Sequence, residues 1–226
     1  LHLCTHADVL AKHLPHSPKL NLGTMAMALS TGGGHHPHTY YEEIELLEPA
    51  SLYTWNLSTG RFTSKAFWRP TFELTHDLNA AAEQLAASFK SAIQRRTHSV
   101  FGRPSVLLSG GSDSRICLFG LNDPSTATTF TLCDSPNSET ATAKALADLA
   151  GANSIILERP LDYYPDSAAS AIRTGGGQWN FWDAHYTGFQ DQIFSASGGT
   201  LLTGCYADYM FKGLLQNRSP LRVLGI

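Results

Sequence analysis

The chain has 226 residues, 42% of them hydrophobic and 15% charged, with a net charge of −3. That composition belongs to a folded domain and not to a disordered segment, and the length suits one large α/β domain or a smaller one with an attached piece. The acidic balance, with no basic cluster beyond Arg95-Arg96, excludes an electrostatic footprint for nucleic acid, and no apolar run approaches the roughly 18 residues of a membrane span.

In chain order, residues 8–14 and 20–30 read as short helices with apolar faces. Glu42–Leu47 is a strand candidate leading into Pro49. Ser51–Leu57 alternates, stops at Ser58-Thr59-Gly60, and resumes from Phe62 to Trp68, the pattern of a β-hairpin. From Asp77 the period changes. Leu78, Ala81, Ala82, Leu85, Ala86, Phe89 and Ile93 recur at helical spacing up to Arg95-Arg96, whose charges suit a helix C-terminus. Pro104–Leu108 reads as a short buried strand, followed by a helix from about Ser114 to Leu121. Ala127–Cys133 is the next strand. A helix from Ser138 to Ala150 follows, with Ser138 as its N-cap, Glu139 in its first turn and Gly151 past its end. Ser154–Leu157 and Thr200–Thr203 complete the strands. Strands alternating with helices at this spacing imply an α/β fold with a parallel, doubly wound sheet.

Between the first of these strands and its helix lies Ser109-Gly110-Gly111-Ser112-Asp113-Ser114. Glycines let backbone approach a ligand and expose successive N–H groups, and the following helix adds its positive dipole end. The hydroxyls of Ser109, Ser112 and Ser114 add donors, so the loop suits a polyphosphate. Asp113 fits beside phosphate when a divalent cation such as Mg²⁺ lies between them. No Walker A pattern is present.

The remaining chemistry-bearing residues carry less. Cys4, Cys117, Cys133 and Cys205 form no C-x-x-C pair, and reduced thiols in a cytoplasmic protein are expected. His35, His36 and His38 lie in a Gly/Pro-rich loop without cysteine or acidic partners at ligand spacing, which disfavours zinc. Cys205 reads as a small buried apolar residue more readily than as a nucleophile. His185 reads as packing at a helix start, with facing an acyl acceptor as the alternative. Trp179, Phe181, Trp182, Tyr186 and Phe189 read as core or as the wall of a domain interface.

Ser-Gly-Gly-x-Asp-Ser resembles the pyrophosphate-binding motif of the ATP-pyrophosphatase superfamily. A second stretch, Leu201-Leu202-Thr203-Gly204-Cys205-Tyr206-Ala207-Asp208-Tyr209-Met210-Phe211-Lys212-Gly213, resembles the strand-loop segment of asparagine-synthetase-like enzymes. Thr129-Phe130-Thr131 with the Ser138–Ala150 segment does so too. Upstream, Leu47-Glu48-Pro49 and Phe67-Trp68-Arg69-Pro70 resemble the end of a glutaminase-type domain. The resemblance implies residues 1–75 as the β-rich C-terminal remnant of an Ntn-type glutaminase-like domain. It implies residues 76–226 as a domain of the adenine nucleotide α-hydrolase (PP-loop ATPase) type, truncated at its C-terminus.

It further implies an ATP-dependent amide ligase that adenylates a carboxylate, releases pyrophosphate and transfers the acyl group to an amine or ammonia. Ser109, Gly110, Gly111, Asp113 and Ser114 would hold the β,γ-phosphates, Asp113 and Asp208 would hold Mg²⁺, and backbone around Leu108, Thr131, Leu132 and Gly204 would line the adenosine. ATP and Mg²⁺ are the expected cofactors. A second copy of the chain or the remainder of a longer parent is the expected protein partner. Where asparagine synthetases have Glu and β-lactam synthetases Tyr, this chain has Cys205, and Tyr209 replaces an acidic residue. A tailoring cyclase forming a β-lactam or macrolactam, or a non-catalytic nucleotide-binding protein, therefore stand as alternatives. The start without Met suggests a piece of a longer protein. Counterparts of the family's nucleophilic cysteine and C-terminal lysine are absent from the chain, so on its own it is expected to be catalytically silent.

Overall fold

The computed structural model describes residues 2–71, 77–176, 185–205 and 207. The elements of the first part are α1 (Ala7–His13), α2 (Leu22–Thr31), β1 (Ser51–Trp55) and β2 (Phe62–Ala66). Then come α3 (Leu78–Arg96), β3 (Ser105–Leu107), α4 (Ser112–Phe119), β4 (Thr128–Cys133) and α5 (Ser138–Ala150). The last are β5 (Asn153–Glu158), α6 (Tyr163–Thr174), α7 (Gln190–Ser197) and β6 (Leu201–Leu202). The chain forms two compact units, Leu1–His76 with Asp162–Thr187, and Asp77–Leu161 with Gly188–Ile226.

In the first unit the hairpin pairs Ser51 with Ala66 through Trp55 with Phe62. Its turn is closed by the Asn56 side chain, which accepts the N–H groups of Ser58 and Thr59, a local bond that Asn makes readily. Glu42–Leu47 is not a strand. Only isolated bridges, Leu20 with Tyr41 and His38 with Glu45, form there. The reason is the fully buried Thr39, whose hydroxyl donates to Ile44 O at 2.8 Å and accepts the Tyr41 N–H at 3.1 Å. A side chain that bonds nearby backbone curls the segment and removes groups a ladder would use.

The second unit is α/β. Its sheet, among the described residues, has four strands in the order β5-β4-β3-β6, all parallel. Going from β3 to β4 to β5 the chain builds in one direction; β6 then returns to the other side of β3. The order reverses there, and open α/β sheets bind ligands beyond the carboxyl ends of the strands at such a point. Val106, Leu108 and Leu202 from the sheet pack with Ile93, Leu118, Ala143 and Ala147 from the helices. The two alanines lie one turn apart and let α5 approach closely.

Three local details differ from the sequence expectation. The N-cap of α5 is Asn137, not Ser138: Asn137 Oδ1 accepts the N–H groups of Glu139 and Thr140, and Thr140 Oγ1 accepts the Asn137 N–H at 2.8 Å, a reciprocal capping box. Helix α4 starts at Ser112, two residues early, which brings Asp113 into its first turn. On α3 the helical period is right but its burial is not, since Ile93 is buried while Leu78 and Leu85 stay exposed. Helices α6 and α7 are not among the elements the sequence reading expects.

Candidate functional site

Strand β3 is extended by one bond, Leu108 N–H to Phe130 O at 2.8 Å, and the chain then turns into the Ser109–Ser114 loop. The hinge of that turn is Ser114. Its buried hydroxyl accepts the Ser109 N–H at 3.0 Å and donates to Ser109 O at 3.0 Å. Ser109 Oγ lies 3.0 Å from Ser114 Oγ and accepts the Gly111 N–H at 3.2 Å. A hydroxyl has one proton and two lone pairs, so both of these are largely engaged in shaping the loop. The donors left for a ligand are then mainly backbone. Gly111, the N-cap of α4, has no side chain to cap the first turn, where helix N–H groups lack intrahelical partners and the dipole is positive.

Gly110 is enclosed from behind. A β-carbon there would meet Thr142 Cβ at 3.3 Å and Glu139 Cγ at 3.7 Å. Its carbonyl accepts a hydrogen bond from Arg115 Nη2 at 3.0 Å. Asp113 is half-buried, with Ser112 Oγ donating to its Oδ1 at 3.2 Å. The first turn of a helix favours a carboxylate by itself, so its place beside the loop has an electrostatic reason even before a cation is considered.

The second motif segment reaches the same place. Gly204, two residues past β6, packs directly on the start of α4: a β-carbon there would lie 2.8 Å from Asp113 Cβ and 2.9 Å from Ser114 N. Gly204 and the Ser109–Ser114 loop thus meet at the reversal between β3 and β6. On the other side of β3, Thr131 Oγ1 donates to Leu108 O at 2.8 Å, both side chains being buried, while Leu132 is half-buried. Asp208 lies outside the described residues, as do Trp179, Phe181 and Trp182.

Cys205 is exposed, not buried, and its N–H donates to Thr203 Oγ1 at 3.1 Å. Burial pushes the Cys117 thiol above its ordinary value, with the Asp113 charge adding to the rise. Cys133 is raised by burial first, then by Glu158 and Asp134, with Arg159 opposing. All four cysteines are free thiols. His185 is an exposed turn residue of the first unit whose Nδ1 lies 3.0 Å from Tyr164 Oη, and it does not start a helix. Phe189 is buried and Tyr186 half-buried. Among the described residues no group of three His, Cys, Asp or Glu side chains has metal-site geometry, and no helix is long and apolar enough to cross a membrane. Sequence reading missed Arg115, although its place directly after the loop and one turn past Gly111 was the available signal.

These observations define a parallel α/β unit with a glycine–serine loop and an uncapped helix start at its strand-order reversal. No protein-family profile and no curated protein matches this sequence. Among solved structures the chain is similar to the NH3-dependent NAD synthetase from Campylobacter jejuni in complex with the nitrate ion, at 15% identity and a TM-score of 0.37. The similarity covers 53% of this chain and 54% of that one, so it spans about half the length of the solved protein.

Proposed function

We propose that this chain binds ATP in the manner of the ATP-pyrophosphatases and serves an amide ligase of the asparagine-synthetase-like kind. In that reaction ATP adenylates a carboxylate, pyrophosphate leaves, and an amine or ammonia takes the acyl group. The observation that carries the reading is the convergence of Gly204 with Asp113 and Ser114 at the sheet's reversal point, because it brings both motif segments to the place where α/β sheets bind ligands. The loop shaped by Ser109 and Ser114 would present the Gly110 N–H and the first turn of α4 to the β,γ-phosphates. Backbone at Leu108, Thr131, Leu132 and Gly204 would border the nucleoside. Residues 1–75 would be the glutaminase-like remnant.

The donor set suits a divalent cation as follows. A polyphosphate against the first turn of α4 would face the Asp113 carboxylate, and an ion between them removes that repulsion. Asp113 with Asp208 would hold Mg²⁺, which when bound would neutralise charge on the departing pyrophosphate oxygens. Exposed Cys205, at the position where asparagine synthetases have Glu, favours an acceptor other than ammonia, and so a tailoring cyclase as the second reading.

Titration calorimetry of the full chain with ATP and Mg²⁺ tests the binding step. Micromolar to low-millimolar affinity is expected, with a rise in melting temperature by mass action. A folded sample that shows no heat at millimolar ATP-Mg²⁺ overturns the proposal. Calorimetric titration of aspartate, amino-acid and peptide carboxylates into the ATP-Mg²⁺-loaded chain, which needs no turnover, then separates asparagine synthesis from the cyclases.

A further inference from the structure

We propose that Arg115, whose guanidinium rests on the Gly110 carbonyl, is a polyphosphate-engaging residue; this deepens the nucleotide-binding reading and rests on it. Arg115 is the fourth residue of α4, and helical side chains point back toward the N-terminus. Its guanidinium therefore returns along the first turn to the loop, where Nη2 lies 3.0 Å from Gly110 O. The side chain is exposed, and among the described residues no carboxylate lies within ion-pair distance of it. A neutral carbonyl is the weaker of two possible partners, because a phosphate adds charge–charge attraction and can accept two guanidinium N–H groups at once.

Guanidinium offers five N–H donors in a planar fork, which matches phosphate oxygens two at a time. Gly110 is fixed from behind by Thr142 and Glu139, so the carbonyl acts as a defined parking place beside the helix start. Between Ser109 and Arg115 the sequence holds one negative residue, Asp113, and one positive residue, Arg115.

The test is calorimetric titration of inorganic pyrophosphate, orthophosphate and ATP-Mg²⁺ into the full chain and its Arg115→Gln and Arg115→Lys variants, at two salt concentrations. Arg115→Gln is expected to weaken pyrophosphate and ATP by about tenfold or more, and orthophosphate less, as loss of a charge-assisted pair implies. Arg115→Lys should fall between, and the salt dependence should shrink in the Gln variant. Melting temperatures should change little, since the side chain is exposed. Wild-type pyrophosphate affinity in Arg115→Gln would overturn the proposal, leaving a brace for Gly110. Equal losses in Gln and Lys variants, together with a lowered melting temperature, would also overturn it. If the wild-type chain itself binds neither pyrophosphate nor ATP, the nucleotide-binding reading fails and takes this inference with it.

Discussion

Gly204 and Asp113 lie 91 positions apart in sequence, yet a β-carbon on Gly204 would lie 2.8 Å from Asp113 Cβ. The contact joins the end of β6 to the first turn of α4, and it leaves no room for a side chain. Gly204→Ala should therefore displace the start of α4, at about 1–3 kcal/mol for an overpacked contact. For a chain of this size that is a drop of several degrees in melting temperature, about 2–4 °C per kcal/mol. Unchanged stability on thermal melting would show that the two segments are not in contact in solution.

Asp113 and a cation give a prediction with a change of sign. With Mg²⁺ present, Asp113→Asn should weaken ATP binding, and Asp208→Asn should do the same, since each is proposed as a ligand. In excess chelator, Asp113→Asn should strengthen pyrophosphate binding, because a repelling charge is gone. Ser112→Ala should matter less than either, its hydroxyl being exposed. The comparison is made by calorimetry with and without Mg²⁺. Equal weakening in both conditions would assign Asp113 a purely structural role.

Ser114 shapes the loop through a buried hydroxyl, and Ser114→Ala leaves the Ser109 N–H without its partner. A stranded donor costs about 1–3 kcal/mol, so melting should fall and amide exchange at Ser109 should accelerate. A variant as stable as wild type would mean that the loop closes by another route.

The thiols predict behaviour at alkaline pH. Burial raises Cys117 and Cys133 above their ordinary values, so the folded state favours the neutral forms. The stabilising contribution is complete below the ordinary thiol range, about pH 8.5, and is lost as pH climbs from there toward the raised folded values. A Cys117→Ala, Cys133→Ala double variant should show a flatter decline of melting temperature between about pH 8 and 10. Labelling at neutral pH should modify the exposed Cys4 and Cys205 first. Rapid labelling of Cys133 in folded protein would contradict its burial.

Asn137 caps α5 by accepting the N–H groups of Glu139 and Thr140. Asn137→Ala should cost about 1 kcal/mol, whereas Ser138→Ala should be close to neutral. The opposite ranking by chemical denaturation would restore Ser138 as the cap.

Local rules made much of this protein legible in one dimension. The hairpin around Ser58-Thr59-Gly60, the long α3, the alternation of β3, β4 and β5 with helices, and the Ser109–Ser114 turn all rest on periods and residue preferences within a few positions. Tertiary structure alone decided the rest. The return of β6 to the far side of β3, which sets Gly204 on Asp113, depends on which strand edge remains open after β3 and β4 have paired. Burial of α3 stops at Ile93 because an apolar period states which face can be covered, not what is available to cover it. Glu42–Leu47 has strand-like residues but loses its ladder to Thr39. In each case the outcome belongs to a partner distant in sequence or to a single side-chain bond, and a pattern of residue types contains neither.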